Sequence, residues 1–130
     1  MSRVAFAVAL WLGASAASAA IAFVATTGDG CEASNATSLT CSKVIASGSD
    51  RWLNVGVGVE DPTAADRLVA SVTFNTTESL VLSVADANSD NDHSESWSLN
   101  DPSVTTANVV ATLGGTCQII SMVAINYTGV

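Results

Sequence analysis

Positive charge is scarce in this sequence. Lysine and arginine number four in 130 residues, against twelve aspartates and glutamates, and the formal net charge is −8. No basic stripe exists to track a phosphate backbone, which argues against a nucleic-acid partner. Histidine occurs once, at His93, and cysteine three times, at Cys31, Cys41 and Cys117, with no C-x-x-C pair. That inventory argues against a zinc site. Charged residues of both signs make up only 12% of the chain and hydrophobic ones 48%, too apolar a balance for a disordered polymer. Beyond the N-terminus no long apolar pattern of period 3.6 occurs, so helices contribute little.

What is abundant is valine, alanine, serine and threonine, a mix that suits pleated surfaces better than helices. The length allows one domain. Its start has three parts in order: Arg3, the uncharged apolar run Val4 to Ala14, and the small-x-small site Ala17-Ser18-Ala19. This is the layout of a secretory signal peptide. Residues 1–19 are read as signal and 20–130 as the exported domain, placing the protein outside the cell or at its surface. The competing reading is a retained anchor over Val4 to Ala25, about as long as a bilayer requires. Only a retained segment would make the membrane a partner.

Alternation of apolar and polar residues marks strands at 20–27, 38–46, 51–60, 68–75, 79–86, 95–99, 107–113 and 117–127. Residues 63–67 form a helical turn or a loop. The clearest strand is 51–60, where Leu53, Val55, Val57 and Val59 share one face, and Asp61-Pro62 ends it. About eight short strands between turn signals predict an all-β fold, an antiparallel β-sandwich of jelly-roll-like or Ig-like type. The expected core is Leu53, Val55, Val57, Val59, Val72, Phe74, Leu80, Leu82, Val84, Trp97, Leu99, Val109, Leu113, Val123 and Ile125.

The segments GSDRWLNVGVGVED (48–61), VASVTFN (69–75), SWSLNDPSVTTANVVATLGG (96–115) and NYTGV (126–130) resemble an uncharacterised β-sandwich module of secreted and cell-surface proteins of bacteria and archaea. The resemblance rests on an L-x-V-x-V strand at Leu53 to Val57, a Trp97-bearing strand running into Asn100-Asp101-Pro102, and a following T-x-N-V-V-x-T-L strand. It covers nearly all of the domain and implies no catalytic residues. In that family further strands follow where this sequence has Tyr127-Thr128-Gly129-Val130. Either the sequence is truncated there or the fold lacks closing strands, and both readings leave room for an unpaired sheet edge.

Candidate sites are few. Asp86, Asn88, Asp90 and Asp92 put oxygen ligands at every second position, a spacing that can wrap calcium. A solvated hairpin loop is the alternative. Trp52, with Asn54 and Glu60 on the same strand face as Gly56 and Gly58, can offer a sugar a flat ring and polar partners. Against this, the face can pack on another sheet, or Trp52 can cover its own glycines. His93 lies between Asp92 and Ser94, but sequence neighbours do not make a catalytic triad, and no enzyme is expected. Asn35, Asn75 and Asn126 head N-x-T glycosylation sequons. Cys31 and Cys41 flank a polar connection and are the preferred disulfide. Cys41 with Cys117, or three free thiols, remain open. The expected function is a non-catalytic extracellular module with a binding or spacer role, through adhesion to a protein surface or contact with a glycan. The alternative is a structural subunit assembling into filaments or a surface layer through a sheet edge.

Overall fold

The computed structural model describes residues 20–24, 30–60, 68–87 and 92–130. The signal segment 1–19 and the turn at 63–67 lie outside them. Of the anchor span Val4 to Ala25, only its last part is described, and Ala22–Val24 there is a strand. Among the described residues no helix is long and apolar enough to cross a membrane.

The architecture is all-β. The strands are β1 (Ala22–Val24), β2 (Gly30–Val44), β3 (Trp52–Glu60), β4 (Val69–Phe74), β5 (Glu78–Ser79), β6 (Val81–Ala87), β7 (Asp92–Asn100) and β8 (Thr106–Thr128). Only Leu80 separates β5 from β6; taken as one run, they leave seven. All pairings are antiparallel, in the order β5-β4-β8-β3-β7-β6, with β1 and β2 also paired to β8. The sheet curls nearly closed. The first half of β8 pairs with β4 and its second half with β3, while the run from β5 into β6 passes from β4 to β7.

The curl has a sequence cause. β8 is 23 residues long and runs through Gly114-Gly115, joining the two strands expected at 107–113 and 117–127. Opposite this point β2 carries Asn35 at φ 51° and a register shift between Ala36 and Ser38. A left-handed residue and an irregular register on one strand, facing side-chain-free backbone on the other, let the ribbon bend without losing its ladder. The stretch from Glu32 to Ser38, expected as a polar connection, is therefore strand. Cys31 and Cys41 sit on either side of the bend and are disulfide-bonded, with Cα atoms 6.2 Å apart. Cys117 is free and buried, and its thiol donates to the carbonyl of Ala36 at 3.3 Å.

The alternating valines of β3 face inward: Leu53, Val55, Val57 and Val59 are at most 3% exposed. They pack with Val72, Phe74, Val109, Ala111, Ile120 and Met122. Burying each larger side chain stabilises by roughly 1.5–3 kcal/mol. Three expected core residues lie outside: Leu82 is 44% exposed, Val84 62% and Val123 42%. A bulge between Leu82 and Val84 breaks the alternation of β6, an outermost strand. Val123 sits opposite Gly56 on the outer face. Leu99 and Ile125 are half-buried. The edge expected at the C-terminal strand is filled on both sides, since Thr128 pairs with Ala22 and Tyr127 with Phe23 and Trp52.

Candidate functional site

One end of the sheet gathers a polar cluster around an aromatic ring. Between β2 and β3 the chain turns at Asp50, held at φ 48°; between β7 and β8 it turns at Asp101, at φ 53°. Aspartate tolerates this left-handed conformation better than most residues. Gly48 lets the first loop press onto the end of β8, where an added Cβ would meet the Thr128 side chain at 2.8 Å. The tail is tied to the same loop: Gly129 N–H donates to Ser49 O at 2.9 Å and Val130 N–H to Asp50 O at 3.2 Å.

Arg51 joins the two turns. Its Nη1 donates to Gly48 O at 2.7 Å, its Nε to Pro102 O at 2.9 Å, and its Nη2 forms an ion pair with Asp101 Oδ1. The main chain repeats the link, with Asp101 N–H donating to Arg51 O at 2.8 Å. The guanidinium fork satisfies three acceptors in fixed directions, which a lysine cannot do. The result is a cavity of about 610 Å³ lined by Ser49, Asp50, Arg51, Trp52, Asn100, Asp101 and Val130. Trp52 is half-buried there, with Asn100 and Tyr127 as its cross-strand neighbours. An apolar ring beside hydroxyl, amide and carboxylate oxygens is a chemistry that holds polyhydroxylated ligands.

The structure regroups the residues expected to act with Trp52. Asn54 and Glu60 do share its strand face, but the Asn54 amide donates to Ser96 Oγ at 3.0 Å. Glu60 stands eight residues along the strand, about 26 Å away, so one sugar ring cannot span both. Asp50, Asn100 and Asp101 line the pocket beside Trp52, brought in by loops that strand periodicity does not describe. Nor does Trp52 cover the glycines. Gly56 and Gly58 floor a separate shallow groove of about 660 Å³, whose walls include Glu32, Ser94 and Ser121.

Of the expected calcium ligands, Asn88 and Asp90 lie outside the described residues. Asp86 faces Ser94 in the register, while Asp92 stands directly opposite Glu60. Among the described residues no group of three or more metal-binding side chains forms. Of the sequons, Asn35 and Asn75 are exposed, but Asn126 is fully buried. Its Oδ1 accepts from Ala46 N–H and its Nδ2 donates to the carbonyls of Trp52 and Tyr127. In the folded chain it is a structural clamp and is closed to modification.

The interior also holds other polar groups. Lys43 is buried and its Nζ donates to Ala124 O. Glu95 is buried, its Oε1 accepting from Val69 N–H at 3.2 Å and its Oε2 from Trp97 Nε1 at 2.8 Å. His93 is buried two residues before it. Period two was the available signal: Lys43 is in phase with Leu39 and Cys41, and His93 and Glu95 with Trp97. Comparison with protein-family models, curated proteins and solved structures finds no match for the chain.

Proposed function

We propose that this chain is an exported, non-catalytic β-module of an extracellular or cell-surface protein, and that it contacts glycan through its Trp52 end. The scaffold is read as sandwich-like, in keeping with the resemblance to the surface-protein module. The observation that carries the reading is the cavity that joins Trp52 to Ser49, Asp50, Asn100 and Asp101 within an Arg51-braced frame. Such a cavity offers a stacking surface and several hydroxyl partners on prearranged loops, so little ordering cost remains on binding. Export is supported by the N-terminal signal layout and by the disulfide, a bond that persists in oxidising compartments. A glycan array probed with the oxidised chain tests the binding. Retained spots should vanish with Trp52→Ala and weaken with Asp50→Asn. An empty array would leave the spacer role.

Assembly through a sheet edge is the second reading. It is favoured by β6, whose Val81, Leu82 and Val84 are all exposed at the end of the strand order.

A further inference from the structure

We propose that the outer edge of β6 is a self-association site, to which β6 of a second copy adds as an antiparallel strand. The inference deepens the assembly reading by naming the edge, the partner and the register. β6 pairs with β7 on one side, and no described strand pairs with its other side. Its exposed residues run Val81, Leu82, Ser83, Val84, Ala85 and Asp86. An edge of this kind presents a row of backbone donors and acceptors to any strand that can approach. Lysine and proline, which commonly blunt such edges, are missing from it.

Symmetry favours a second copy as the occupant, and charge permits it at this edge. Two copies that each carry −8 repel, so they can meet only where carboxylates are sparse. The run Val81 to Ala85 has none. In the antiparallel register that sets Val81 opposite Val84 of the second copy, Leu82 faces Ser83. No two carboxylates then stand opposite each other, and the apolar pair recurs by symmetry. The register also respects the bulge: Val81 lies opposite Ser98 and Val84 opposite Ser96, both on the serine face of β7. The four residues paired, Val81 to Val84, span about 13 Å of edge. A contact of this size falls near or below the roughly 1,000 Å² typical of stable interfaces, so the dimer is a weak one.

Sedimentation velocity of the oxidised chain over a wide concentration range tests the edge. The sedimentation coefficient should rise with concentration, and Val84→Lys, on an exposed side chain, should hold the protein monomeric. The register is read by mixing two variants. Val81→Cys mixed with Val84→Cys should yield a disulfide-linked dimer, whereas either alone should not. A monomer at every concentration overturns the proposal and the assembly reading together. Association that Val84→Lys leaves unchanged overturns the β6 edge alone.

Discussion

Cys31 and Cys41 lie ten residues apart on a single strand, yet their Cα atoms are 6.2 Å from each other. A straight strand would separate them by about 33 Å. The disulfide therefore fastens the two arms of a sharply folded ribbon. It does not close a hairpin between two strands, which was the geometry the spacing suggested.

Reduction should be costly for that reason. Replacing both cysteines with serine, or unfolding in reductant, should lower stability by about 2–3 kcal/mol, the chain-entropy value for so short a loop. Guanidinium denaturation with and without reductant measures it. Peptide mapping without reduction should yield a linked pair containing Cys31 and Cys41, with Cys117 alkylated only after unfolding.

Arg51 and Asp101 should differ in weight although they form one ion pair. Arg51 is mostly buried and also serves two carbonyls, while the Asp101 side chain is 73% exposed. Arg51→Ala should cost about 1.5–3 kcal/mol, as hydrogen bonds to a charged group do. Asp101→Asn should cost less than about 1 kcal/mol, because solvent screens the pair. Thermal unfolding of the two variants checks the order.

Asn126→Ala should destabilise by about 1–3 kcal/mol, since it strands the Ala46 N–H and the Trp52 carbonyl. Asn35→Ala loses no buried side-chain contact but should still cost about 1 kcal/mol, because Asn35 holds φ 51° and alanine tolerates the left-handed region less well. In a glycosylating host, mass spectrometry should find Asn126 unmodified.

Glu60 and Asp92 face each other across β3 and β7. Like charges directly opposite destabilise a sheet, so Glu60→Gln should raise stability by about 0.2–1 kcal/mol at low salt and by less at high salt. If instead calcium sits in the 86–92 loop, chelation should lower the melting temperature of the original chain. A chelator without effect removes that site.

Strand phase was the most legible property. The run from Leu53 to Val59 reads inward and is inward, because nothing local competes with a two-residue period. Asn126 shows the opposite case. It heads a sequon in the sequence, and only the return of the loop at Ala46 beside β3 turns it into a clamp. The Trp52 site was half visible for the same reason. Its ring stands on a strand, but Asp50, Asn100 and Asp101 arrive from two turns whose meeting depends on Arg51. Gly114-Gly115 misled because a glycine pair marks a chain reversal and a bend within one strand equally well. Leu82 and Val84 misled because a bulge is invisible to pattern counting and an edge strand has no neighbour to bury its side chains.

β8 borders β1, β2, β3 and β4, and every one of them precedes it in the chain. During synthesis those strands emerge without the template they pair with, and pairings so distant along the chain form slowly. The β3–β7–β6 and β4–β5 ladders can form before it, but no strand pairing joins these two groups until β8 is made, and β1 and β2 have no other described partner. Closure of the curled sheet therefore waits on β8, the last described strand to be made.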